Sequence, residues 1–164
     1  MNTKHVVYIA LIGALYPVLT VAIAPLSYGP IQFRVSEFLK VFCLFNPLTA
    51  VGIAMGDILS ASISPFVSPW ELIFMPVTDI IGGYAAYTLY KVMKQRFPVL
   101  PMVLYSLTTA VSVGYMLTFF GLGGFWILSG SVLISEIVIL AGALPIGMRI
   151  RKTLQARNIT LMEL

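Results

Sequence analysis

The sequence predicts an all-α integral membrane protein, a bundle of six transmembrane helices. Three observations carry that prediction. Of the 164 residues, 59% are apolar, and the mean hydropathy is +0.98. Charged residues make up 10%, against about 25% in an ordinary soluble domain. The apolar residues also come in long runs, separated by short turns rich in Pro and Gly. A soluble core of this size has nowhere to hide so much apolar surface, whereas lipid does. A span needs roughly 20 apolar residues, so the chain suits about six spans as one domain, residues 1–164, with no room for a soluble domain beside them.

The first run goes from Val6 to about Leu26 and closes at Pro25 and the turn-like Ser27-Tyr28-Gly29-Pro30. It is too long for a cleavable signal peptide, lacks a clear small-residue cleavage site and is followed by further runs. The second, about Val35 to Phe45, is short and carries Glu37 and Lys40. Asn46-Pro47 ends it, because proline suits a first helical turn and not an interior. The third runs from Leu48 to Ile63, before the loop Ser64-Pro65-Phe66-Val67-Ser68-Pro69. The fourth is Trp70 to about Tyr90, the fifth about Val99 to Phe120, and the sixth about Phe125 to Ile150. Gly121-Leu122-Gly123-Gly124 separates the last two.

Lys and Arg set the orientation. Lys4 precedes the first run; Lys91, Lys94 and Arg96 lie between the fourth and fifth; Arg149, Arg151, Lys152 and Arg157 follow the sixth. Six spans put all three groups on the cytoplasmic side, with both termini in the cytoplasm and Arg34 in an outer loop. Trp70 and Trp126 then fall near the outer surface, where an interfacial anchor and a ligand-stacking ring are both open readings.

Small residues mark helix contacts. Gly52 and Gly56, extended by Ser60, form a Gly-x-x-x-Gly face that suits internal packing. Ala10 and Ala14 form a similar face on the first span, beside Gly13, and Pro17 is expected to kink that helix.

Five ionisable residues fall within the spans: Glu37, Lys40, Asp57, Asp79 and Glu136. A charge at mid-membrane costs at least about 2.5–3.5 kcal/mol, so such residues are expected to be functional or paired and to face the protein interior. Glu37 and Lys40 are three apart, and a local ion pair between them competes with a ligand role for Lys40. Glu136 lies about 16 Å into the sixth span at 1.5 Å per residue, near the midplane. Asp79 lies at a similar depth. Glu71 sits at an interface and is expected to be solvated or a helix N-terminal charge. Phe33, Tyr115 and Trp126 are the outer aromatics positioned to stack on a planar ligand.

Absences exclude several chemistries. Cys43 is the single cysteine and His5 the single histidine, so a Cys- or His-based metal centre is excluded, and no cofactor is implied. Basic residues flank apolar runs rather than form a soluble patch, which argues against nucleic-acid binding. There is no Gly-x-x-x-x-Gly-Lys-Ser/Thr loop, so ATP hydrolysis by that route is absent, and no His-Glu-x-x-His or Gly-x-Ser-x-Gly.

The segment Ala24-Pro25-Leu26-Ser27-Tyr28-Gly29-Pro30-Ile31-Gln32-Phe33-Arg34-Val35-Ser36-Glu37 resembles the QueT family. Gly-Pro-Ile-Gln-Phe-Arg-x-Ser-Glu is its most specific part, supported by Gly56-Asp57, Asp79 and Ser135-Glu136. Ser135 stands where the family has Gly. The resemblance covers nearly the whole chain. It implies an S component of an energy-coupling factor (ECF) transporter, in the cell membrane, capturing a queuosine precursor such as 7-cyano- or 7-aminomethyl-7-deazaguanine. It implies docking, through Ala10 and Ala14, on a T subunit that works with two ATPases. A carboxylate accepts the adjacent N–H donors of a guanine-like edge in bidentate fashion, a role for Glu136 or Asp79. Gln32 or Arg34 donate to its carbonyl and ring nitrogen, aromatic rings sandwich the base, and Glu37 suits an aminomethyl cation.

Three other readings stand beside it. An S component for a different vitamin-like ligand shares the fold. A small intramembrane enzyme uses Asp57 and Asp79 as an acid–base pair. A ligand-free structural subunit leaves the buried charges without a purpose.

Overall fold

The computed structural model describes residues 3–28, 32–65 and 67–157. Gly29, Pro30 and Ile31 of the family-like segment, and Phe66 of the two-proline loop, lie outside the described residues. All described regular structure is helical. In chain order it comprises α1 (Thr3–Ala22), a single turn α2 (Ala24–Ser27), a 3₁₀ helix (Val35–Leu44) and α3 (Leu48–Ala61). A π turn (Trp70–Phe74) then runs into α4 (Met75–Val92), followed by α5 (Val99–Phe119) and α6 (Phe125–Ala156).

Four helices are long and apolar enough to cross a membrane: Thr3–Ala22, Trp70–Val92, Val99–Phe119 and Phe125–Ala156. The second and third runs are shorter. The ten residues of the 3₁₀ helix span about 20 Å at 2.0 Å per residue. The 14 residues of α3 span about 21 Å at 1.5 Å per residue. Both fall short of a hydrocarbon core about 30 Å thick. The 3₁₀ helix lies inside the bundle, and Val35 is its one exposed residue. There it contacts every one of α1, α3, α4, α5 and α6. Its three-residue period eclipses positions i and i+3, so Glu37 and Lys40 stand on one edge.

Glycine decides how α1 meets α3. A Cβ on Gly52 would lie 2.7 Å from the Ile12 Cβ and 3.0 Å from the Ile9 carbonyl oxygen. One on Gly56 would lie 2.6 Å from the Tyr16 Cβ and 2.9 Å from the Gly13 carbonyl. The Gly-x-x-x-Gly face therefore packs internally. Pro17 sits within α1 against Gly56, and the helix continues through it. Ala10 and Ala14 are exposed, outside the buried stripe of Ile9, Ile12, Gly13 and Tyr16.

The π turn has a chemical cause. Pro76 offers no N–H to the turn before it, and its ring crowds the carbonyl four residues back. The turn opens by one residue, so the Met75 N–H bonds the Trp70 carbonyl, five residues back. Such widened turns recur at functional sites.

The basic residues collect at one end. Arg151 of α6 donates to Gln95 Oε1 at 2.5 Å and to the Tyr90 hydroxyl at 3.3 Å, and its guanidinium lies over the Phe45 ring. That joins the α6 end to the α4–α5 connection. Tyr8 and Thr49 share a 2.7 Å hydrogen bond that sets the start of α1 beside the start of α3. Two apolar clusters fill the bundle. One, including Tyr8, Leu39, Phe45, Tyr90 and Leu140, extends toward the basic end. The other, including Met75, Val113, Met116 and Val132, fills the opposite half. A layer of charged side chains separates them.

Candidate ligand-binding site

The charged layer is organised around two buried cations. Lys40 is fully buried on the 3₁₀ helix. Its ammonium donates to Thr109 Oγ1 of α5 at 2.7 Å and to Glu136 Oε1 of α6 at 2.9 Å, and pairs with Glu37 one turn back. The Tyr105 ring lies beneath it, 4.7 Å to the centroid. Glu37 also accepts the Tyr16 hydroxyl at 2.6 Å. The local Glu37–Lys40 pair is thus present, and Lys40 bridges to Glu136 as well.

Arg34, just before the 3₁₀ helix, is the second cation. Its guanidinium donates to Asp57 Oδ1 of α3 at 3.1 Å and to the Ser27 carbonyl at 3.3 Å. It also pairs with Glu71 of the π turn at 3.5 Å. Tyr28 lies beside it, and the Tyr28 hydroxyl donates to the Ser60 carbonyl at 2.7 Å.

Glu71 corrects an expectation. The sequence leaves it either a solvated interfacial acid or a helix N-terminal charge; it does stand in the first turn, but it is not solvated. It is instead 1% exposed and faces Arg34. The extra residue in the π turn rotates everything before it by about 100° relative to α4, since an α-helix advances that much per residue.

These groups surround an enclosed cavity of about 10 Å³, lined by Tyr16, Gln32, Arg34, Glu37, Asp57, Met75, Asp79, Thr109, Val113, Val132 and Glu136. That is room for about one water. Its lining comes from α1, the segment before the 3₁₀ helix, the 3₁₀ helix, α3, α4, α5 and α6. Two features give it unused bonding capacity. Gln32 is 4% exposed, and neither its amide nitrogen nor its amide oxygen has a hydrogen-bond partner. Its φ of 53° is left-handed, a conformation non-glycine residues seldom adopt. Glu136 Oε2 and Asp57 Oδ2 likewise lack a hydrogen-bond partner.

Of the predicted residues, Glu136, Asp79, Glu37, Gln32 and Arg34 converge on this cavity. Phe33, Tyr115 and Trp126 do not line it. Phe33 is half-buried, and its N–H bonds the Leu26 carbonyl. Tyr115 packs 5.0 Å from Trp70 on the outer wall, beside a separate apolar groove. Trp126 is 85% exposed, against Phe125. Both rings sit on helix faces turned away from the core, as interfacial anchors do. Sequence reasoning missed Tyr16 and Thr109. A signal existed for Tyr16: with Ile9, Ile12 and Thr20 it lies on the one buried stripe of α1. Polar groups on the buried face of an apolar helix call for a partner inside. Among the described residues there is no cluster of His, Cys, Asp and Glu suited to hold a metal ion.

Comparison with known proteins adds a family. The family model described as QueT transporter matches residues 6–152. The Queuosine precursor transporter QueT of Lactococcus lactis subsp. cremoris (strain MG1363) is 41% identical over 84 residues. That match covers 50% of this chain and 44% of the relative, so the chain spans less than half the length of that protein. No solved structure matches.

Proposed function

This chain belongs to the QueT transporter family, and from that premise we propose that it captures a queuosine precursor of the 7-deazaguanine type at the polar cavity. The cavity itself carries the proposal. A bundle of apolar helices gathers Gln32, Asp79 and Glu136 around one enclosed point, with hydrogen-bonding capacity unspent. A guanine-like edge presents adjacent N–H donors beside a carbonyl. Glu136 accepts the donors through the oxygen that Lys40 leaves free. Gln32, with both amide atoms open, answers the carbonyl and ring nitrogen. Arg34 and Glu37 hold the frame through their ion pairs. Entry of a bicyclic base requires the lining to part, because the cavity as it stands admits about one water.

The wider reading is an S component of an ECF transporter in the cell membrane, with six spans and both termini cytoplasmic. The 3₁₀ helix and α3 supply the two short spans. The basic residues gathered at one end support that orientation. Ala10 and Ala14 stand exposed on α1, as a face docking on a T subunit requires. The two partner ATPases supply the ATP chemistry for which this sequence has no P-loop.

The test is calorimetric titration of the purified protein with 7-deazaguanines, alongside thiamine, riboflavin, biotin and folate. We expect the deazaguanines alone to bind, and Glu136→Gln to weaken binding at least about tenfold, the loss of one charge-assisted contact. Selective binding of another vitamin, or an unchanged affinity in Glu136→Gln, refutes the substrate or the site respectively.

A further inference from the structure

The cavity region holds more carboxyl groups than cations to pair with them. Among the described residues, five carboxylates are buried, Glu37, Asp57, Glu71, Asp79 and Glu136, against two cations, Arg34 and Lys40. Both cations are committed. Arg34 serves Asp57 and Glu71, and Lys40 serves Glu37 and Glu136. Asp79 is in neither set. Its Oδ1 has the Tyr105 hydroxyl at 3.3 Å, and that hydroxyl makes its shorter bond, 3.0 Å, to the Asp79 main-chain carbonyl. Asp79 is 5% exposed and lines the cavity. A buried carboxylate served by one long neutral hydrogen bond is an incomplete arrangement. Gln32 opens on the same cavity with both amide atoms unpartnered. The side chains therefore show two separate unmet needs at one point: an amide edge and a positive charge.

We infer that Asp79 is the counter-charge for a cationic group carried by the ligand. The site then selects a planar base bearing a primary ammonium over its neutral isostere. This rests on the deazaguanine reading of the cavity and deepens it. An ammonium is compact and offers three donors. One reaches Asp79, while the free Oε2 of Glu136 stays with the N–H edge of the base. Glu37, which the sequence suggests for this cation, is already held by Lys40 and the Tyr16 hydroxyl. A neutral substituent in the same place leaves Asp79 as it stands and strips it of any water, so discrimination comes from the unsatisfied carboxylate as much as from the new bond.

Two 7-deazaguanines that differ at one substituent test this, the aminomethyl form, cationic at neutral pH, and the neutral cyano form. Both are titrated into the purified full chain and into Asp79→Asn. Wild type is expected to bind the aminomethyl form at least about tenfold tighter, as a desolvated charge pair warrants. Asp79→Asn is expected to bring the two affinities within about twofold by weakening the aminomethyl form alone. Equal binding of both forms by wild type overturns the charge selectivity and leaves the deazaguanine reading standing. A preference that survives in Asp79→Asn overturns the assignment to Asp79. Failure of both compounds to bind removes the deazaguanine reading and this inference with it. Should Asp79→Asn not fold, the wild-type comparison alone decides the selectivity.

Discussion

Lys40→Met removes the cation that joins the 3₁₀ helix to α5 and α6 while keeping the side chain's length and apolar stem. The cost follows from what is left behind. Glu37 retains the Tyr16 hydroxyl. Glu136 retains nothing: Lys40 is the hydrogen-bond partner of its Oε1, and its Oε2 has none. Its escape is to take up a proton in the folded state. For a carboxyl ordinarily near 4.3, that costs about 3.7 kcal/mol at pH 7, at 1.36 kcal/mol per pH unit. Broken buried pairs cost about 3–5 kcal/mol in general, so a loss of about 3–4 kcal/mol is expected. The pH dependence has a definite sign. The folded variant binds a proton that its unfolded chain does not, so its stability falls as pH rises. Moving from pH 7 to 5.5 should lower the cost of protonating Glu136 in the folded variant by about 2 kcal/mol. Reversible unfolding in mixed micelles, followed by circular dichroism at both pH values, measures this. A deficit under about 1 kcal/mol at pH 7, or one that does not change with pH, refutes the reasoning. Lys40→Met/Glu136→Gln should be less destabilised than the sum of its single variants by about 1–3 kcal/mol, because the two side chains touch.

Two further outcomes follow from the packing and the cavity. Gly56→Ala places a methyl 2.6 Å from the Tyr16 Cβ and 2.9 Å from the Gly13 carbonyl. It should destabilise the α1–α3 contact by about 1–3 kcal/mol, read by the same unfolding assay, and a neutral result means that contact is looser than described. Gln32→Ala should weaken deazaguanine binding about tenfold, whereas Trp126→Ala should leave it within about twofold, measured by titration; the reverse pattern moves the site to the outer wall.

Much of the fold was legible because lipid imposes a simple rule on composition. Runs of apolar residues end at Pro47, Pro69 and Gly121, where the helices also break or begin. The Glu37–Lys40 pair was legible from spacing, since three residues fix a shared edge. Its extension to Glu136, 96 residues on, was not, because no local pattern records which helix faces which. The burial of Glu71 was not legible for a different reason. Its inward direction depends on one extra residue in the turn before Pro76. The proline announces a disturbance but not that the turn will widen rather than kink. Tyr115 and Trp126 were ambiguous by chemistry. An aromatic near a helix end suits a headgroup region and a flat ligand equally well, and only the direction of the ring separates the two.

The composition of the charged layer bears on whether this bundle is merely structural. Taking two charges out of water costs several kcal/mol each, and even a well-formed buried pair commonly does no better than apolar residues of the same shape. Leu or Met at positions 37, 40 and 136 would bind the 3₁₀ helix to α6 at least as firmly. For cohesion alone, the matched pairs are superfluous and the excess carboxylate is a defect. The arrangement makes sense if the layer has an occupant. Arg34 and Lys40 then fix the positions of four acids, which leaves Asp79, Gln32 and one oxygen each of Glu136 and Asp57 as open groups. These come from α4, the segment before the 3₁₀ helix, α6 and α3, so a ligand meeting several of them ties together elements distant in sequence. Its binding would then report directly on the packing of the bundle.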